Sequence, residues 1–86
     1  LPIKQQQQVL HEMNQVAAMV THLYSPKKLN IGALGNIVSQ LHIHVIGRFT
    51  NDPAWPKPVW GQLAANAYSE VQLVQQLTNI RVCLQL

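Results

Sequence analysis

Charge is scarce in this sequence: six Lys and Arg and three Asp and Glu make up 10% of 86 residues. Disordered chains combine few apolar residues with high net charge. With 48% hydrophobic residues this chain does the opposite. It reads as globular, and its length allows one small domain, residues 1–86. Such a domain buries only about 60–65% of the surface its unfolded chain exposes, so its stability is marginal. Cysteine is nearly missing. The lone Cys83 excludes an internal disulfide and fits a reducing cytoplasm. No apolar run approaches the roughly 20 residues that span a bilayer. The start also lacks the basic-then-apolar pattern of a signal peptide, so a membrane is not an expected partner. The net charge of +3 is a mild basic bias, suited to an anionic ligand such as a phosphate. It is too scattered for a nucleic-acid footprint, since Lys27 and Lys28 are the only adjacent basic pair. There is no internal repeat. The chain opens on Leu1 and Pro2 rather than Met, which leads to the expectation that an upstream stretch is missing.

What is present is periodic. Val9, Met13, Val16, Val20 and Leu23 recur at spacings of 4, 3, 4 and 3, which predicts one amphipathic helix over residues 4–24. His11 and His22 fall almost opposite that stripe, on the side expected to meet water. Ser25 and Pro26 end the helix, because the residue before proline avoids the α region. Residues 28–34 read as a strand, in which Gly32 suggests a bulge or the close approach of another group. Gly35 and Asn36 supply a turn signal. Residues 40–49 form the clearest strand: Leu41, Ile43 and Val45 point to one face, Gln40, His42 and His44 to the other. Two strands joined by a short turn suggest an antiparallel hairpin. Residues 50–62 must be a loop, since three prolines within six positions forbid helix and central strand. A second helical stripe (Tyr68, Val71, Val74, Leu77, Ile80) starts at Asn66 or, by the capping-box spacing of Ser69 and Gln72, at Ser69.

The chemistry rests on His42 and His44. Two residues apart on a strand, they project from one face about 7 Å apart along the chain. Leu41, Ile43 and Val45 anchor the backbone behind them, which sets two imidazoles on a rigid element. Imidazole titrates near neutral pH, so one ring is able to act as nucleophile while the other donates a proton. Spacing alone leaves other readings open. Both histidines also suit the polar face of a half-buried sheet. A His-x-His pair also suits zinc, but zinc needs at least three protein ligands, and Glu12, Asp52, Glu70 and Cys83 show no ligand spacing to the pair.

The run Gln40-Leu41-His42-Ile43-His44-Val45-Ile46 resembles the signature of the histidine triad (HIT) family, in which histidines alternate with apolar residues. Gly47 and Arg48 after the run, and Gly35, Asn36 and Ser39 before it, strengthen the likeness. The stretch from Leu29 to Asn36 looks like the preceding strand of that fold. Pro58 to Gly61 (Pro-Val-Trp-Gly) is similar to a bacterial subgroup, so the resemblance covers residues 4 to about 62. Gln40 departs from the pattern by standing where the first histidine usually is.

This resemblance implies an α+β fold, an antiparallel sheet with packed helices, in which the family's N-terminal strands are not included. It also implies a hydrolase or transferase of nucleoside phosphoramidates or dinucleoside polyphosphates. His42 is then the nucleophile at the α-phosphorus, forming a nucleotidyl-histidine that water hydrolyses. His44 contacts the phosphoryl oxygens or helps the leaving group, and Gln40 keeps a polar role through its amide. Backbone N–H groups around Asn36, Ile37 and Val38 would stabilise charge. Asn30 and Asn36 would contact ribose or phosphate, with Gly35 approaching the substrate closely. Neither metal nor cofactor is implied.

Glycines 32 and 35 also read as plain turn residues. Trp55 and Trp60, flanked by prolines, suit a cover over the core, a dimer interface or a stack on a base. The missing N-terminal part would leave the motif strand with an open edge, which predicts a homodimer. A non-catalytic nucleotide-binding or assembly module is the alternative to the enzyme.

Overall fold

The computed structural model describes residues 1–33, 41–61 and 66–85. Four elements follow in order: α1 (Ile3–Tyr24), β1 (Lys28–Ala33), β2 (Ile43–Arg48) and α2 (Glu70–Leu84). The α+β class is as expected, with two helices and a two-stranded antiparallel sheet among the described residues.

The α1 stripe does what its spacing requires. Val20 is buried, Val9, Met13, Val16 and Leu23 are half-buried, and His11 and His22 are exposed. The helix stops at Ser25, which turns left-handed (φ 46°, ψ 53°) and donates its N–H to the Thr21 carbonyl at 3.0 Å. Pro26 then leads into the sheet.

β1 and β2 pair without a break from Lys28 opposite Arg48 to Ala33 opposite Ile43. Gly32 is therefore not a bulge. Opposed residues share a face, so the hairpin has two distinct sides. Leu29, Ile31 and Ala33 share one with Ile43, Val45 and Gly47, and α1 packs there: a Cβ on Gly47 would meet Val20 Cγ1 at 3.2 Å. Lys28, Asn30 and Gly32 share the other with His44, Ile46 and Arg48.

The segment 49–61 folds along this second side, from Arg48, its anchor, to Gly32. At 2% exposure Arg48 is the least accessible of the described residues, below Met19 at 8% and Val20 at 9%. Its guanidinium fork donates from Nε to Asp52 Oδ2 (2.9 Å) and from Nη2 to Asp52 Oδ1 (3.0 Å). Nη1 donates to Asn30 Oδ1 (2.6 Å) and Nη2 to the Lys57 carbonyl (2.7 Å). The Trp55 ring lies 5.7 Å from Cζ. Asp52 also accepts the backbone N–H groups of Phe49 (3.1 Å) and Ala54 (3.0 Å). Hydrogen bonding from Arg48, helped by the backbone N–H groups of Phe49 and Trp55, lowers the Asp52 pKa to about 2. Buried charge is tolerated only when paired in this way.

α2 begins at Glu70 with Ser69 as its cap. Gln72 N–H donates to Ser69 Oγ (3.2 Å) and Ser69 N–H to Gln72 Oε1 (3.1 Å), the reciprocal pair the spacing predicts. The stripe read from the sequence is not the side that packs. Of its members only Ile80 is half-buried, while Val71 is 78% and Val74 64% exposed. α1 instead meets the side carrying Gln76, Ile80, Cys83 and Leu84, and the Tyr24 hydroxyl donates to Gln76 Oε1. α2 is apolar around most of its circumference, so periodicity did not single out one side. Met19, outside the predicted stripe, is buried because α1 also leans towards this helix.

Candidate active site

The regular part of the histidine strand is shorter than the predicted 40–49: it runs Ile43–Arg48, with Leu41 and His42 just before it. His44 stands directly opposite Gly32 and is exposed, whereas His42 is half-buried. The two imidazole centroids lie 5.4 Å apart with their planes at 77°, so the rings meet edge to face at the start of β2. Ile43 and Val45 are half-buried behind them, but Leu41 is 59% exposed and adds less to that backing than its place in the pattern suggested.

A third ring completes the row. Trp60 lies 6.2 Å from His44 with the planes at 81°. Its six-membered ring rests on β1 where Gly32 has no side chain, and a Cβ there would come within 2.9 Å of Cη2 and 3.0 Å of Cζ2. The close approach anticipated at Gly32 is thus made by an indole. Trp60 is the site residue that sequence reasoning left undecided; the glycine in β1 was its only signal. Trp55 is instead half-buried beside Arg48.

Of the expected substrate-binding residues, Asn30 shares the histidine side of the hairpin, two places from Gly32, with its Oδ1 held by Arg48. Gln40, Gly35, Asn36, Ile37 and Val38 lie outside the described residues. On the opposite side, a cleft of about 300 Å³ opens between α1 and the start of β2. Val9, Glu12, Met13 and Val16 line one wall, and Leu41, His42, Ile43 and Val45 the other. His42 thus borders both the cleft and the ring row. Among the described residues no three His, Cys, Asp or Glu side chains gather as metal ligands.

The arrangement offers two adjacent imidazoles, His44 on β2 and His42 just before it, with the His44 ring open to solvent, which suits nucleophilic attack coupled to proton transfer. The HIT domain family model matches residues 1–51. Three solved histidine triad proteins share the fold. The one from Marinobacter aquaeolei is 40% identical with a TM-score of 0.92, over 99% of this chain and 62% of that one. The one from Bradyrhizobium japonicum is 39% identical (TM-score 0.91), over 95% of this chain and 61% of that one. The one from Sinorhizobium meliloti is 43% identical (TM-score 0.88), again over 95% and 61%. The chain therefore spans about three fifths of the length of these structures. Among curated proteins there is no significant match.

Proposed function

Because this chain belongs to the HIT domain family, we propose that it is a nucleotide hydrolase or transferase working at the α-phosphate through His42. The substrates in view are nucleoside phosphoramidates or dinucleoside polyphosphates. The observation that carries the reading is the pairing of His42 and His44, rings 5.4 Å apart, where the chain enters β2.

In this scheme a nitrogen of His42 attacks the α-phosphorus. The bond to the leaving amine or phosphate breaks, its electron pair leaves with that group, and a proton follows. Water then attacks the nucleotidyl-histidine, the N–P bond breaks, and the imidazole is restored. Splitting one displacement into two is what a covalent nucleophile contributes. His44 meets the phosphoryl oxygens or the leaving group. Gln40 supplies its amide as donor and acceptor in the first triad position. Backbone N–H groups of Asn36, Ile37 and Val38 stabilise oxygen charge, with Gly35 admitting the phosphate closely. Asn36 and Asn30 reach ribose or phosphate, Asn30 through its amide N–H₂ because Arg48 takes its Oδ1. A reducing cytoplasm and a homodimer belong to the same reading. No helix among the described residues is long and apolar enough to cross a membrane.

The test is covalent trapping. Acid-free quenching during turnover of adenosine phosphoramidate, followed by peptide mass mapping, should place the adenylyl group on His42. His42→Ala should abolish both adduct and turnover and leave the circular dichroism spectrum unchanged. An adduct on another residue, or turnover that survives His42→Ala, would defeat the proposal. Adenosine monophosphate binding without any turnover would favour a non-catalytic nucleotide-binding module.

A further inference from the structure

We propose that Trp60 is a positioning residue for His44, holding the exposed imidazole against His42 in the geometry that phosphoryl transfer needs; its catalytic consequence rests on the reading above. An imidazole on an open strand face has several staggered side-chain wells available. Here two neighbours narrow that choice. His42 presents itself at 5.4 Å and Trp60 at 6.2 Å, each nearly perpendicular to the His44 ring. Perpendicular, edge-to-face contact is a favoured geometry for aromatic pairs.

The indole is itself held in place. It fills the space over Gly32, the residue directly across the ladder from His44. Three residues earlier, the Lys57 carbonyl is bound by the buried Arg48. The chain of support thus runs from a guanidinium, through a loop, to an indole on a glycine and on to an imidazole. A tryptophan serving only as a lid over the core would sit on apolar side chains. This one meets the Gly32 backbone and an exposed histidine, and those two contacts are what a positioning role requires.

Three variants and two kinds of measurement test this. Trp60→Ala removes the contact. Gly32→Ala keeps the indole but introduces a Cβ that must displace it, given the 2.9 Å approach to Cη2. Trp60→Phe keeps a smaller ring. In nuclear magnetic resonance spectra of the protein, the His44 ring protons should lose their indole ring-current shift in Trp60→Ala and Gly32→Ala. The cross-relaxation peak between the His42 and His44 rings should weaken in both. In kinetics with adenosine phosphoramidate, kcat should fall about threefold to tenfold in both, from release of the ring into roughly three staggered wells, while KM changes less than about twofold. Trp60→Phe should recover most of kcat.

Unchanged ring contact between His42 and His44 in both disrupting variants would overturn the proposal, as would a Trp60→Phe enzyme no better than Trp60→Ala. Should Trp60→Ala fail to fold, Gly32→Ala and Trp60→Phe still decide. Should the wild-type protein turn over no nucleotide, the proposed reaction fails, and the resonance measurements alone judge the positioning.

Discussion

Gly47→Ala is a small change with a cost that follows from the structure. A Cβ at this position would lie 3.2 Å from Val20 Cγ1 and 3.3 Å from Pro26 Cβ. Carbon atoms in comfortable contact are about 3.5–4.0 Å apart, so each neighbour would have to yield by a few tenths of an ångström. Neither yields readily. A helical valine is confined to essentially one χ1 rotamer, and a proline ring is fixed to its backbone. The strain therefore falls on the seat of α1 against β2, and overpacking of this kind costs about 1–3 kcal/mol. For a domain of this size each kcal/mol is worth about 4–8 °C, so Tm should fall by roughly 5–20 °C. Urea unfolding followed by far-ultraviolet circular dichroism measures the loss. The companion variant Val20→Ala removes the methyl group that collides. The two changes together should therefore cost less than their sum, by about 0.5 kcal/mol or more. A Gly47→Ala protein as stable as wild type, or a strictly additive double variant, would refute the close seating of α1 on β2.

Three further expectations concern the loop and α2. The Asp52 carboxyl sits at about 2 in the folded protein against an ordinary 3.8. Its contribution to stability is therefore complete above about pH 4 and fades as pH falls towards 2. The Tm gap between wild type and Asp52→Asn should be widest near neutrality and close across that acid window, as followed by thermal melts. Arg48→Lys keeps the charge but loses the fork that binds Asp52 twice and reaches Asn30 and Lys57. It should lower Tm by at least about 5 °C and speed limited proteolysis within residues 49–61. Ser69→Ala removes one half of the α2 capping box at a cost of about 1 kcal/mol. Amide hydrogen exchange in the first turn of α2 should quicken about fivefold, with α1 unaffected.

Local signals in the sequence carried most of the architecture. The α1 stripe, the reciprocal pair of Ser69 and Gln72 and the alternation through Val45 each encode a decision made within a few residues, and each appears in the fold. What could not be read depended on distant partners. Nothing local marks Arg48 as the most deeply buried of the described residues, because its burial needs Asn30 on another strand and the Lys57 carbonyl beyond two prolines. The side of α2 that packs was illegible because apolar residues occupy several sides, and the choice belongs to α1. His42 and His44 were legible as neighbours, since residues two apart on extended backbone lie within reach of each other, although the strand itself starts only at Ile43. Trp60 was not, because an indole in a loop has no period. Gly32 recorded its arrival without naming it.

The two tryptophans occupy different surroundings, and this divides the ultraviolet emission of the chain in a useful way. Trp60 stands against the His44 ring, and indole emission depends on its immediate surroundings, so it responds to any molecule that settles there. Trp55 is half-buried beside the Arg48 guanidinium instead and supplies the other component of the emission. Occupancy of the histidine face can thus be followed on the unlabelled protein, with Trp60→Phe as the dark control.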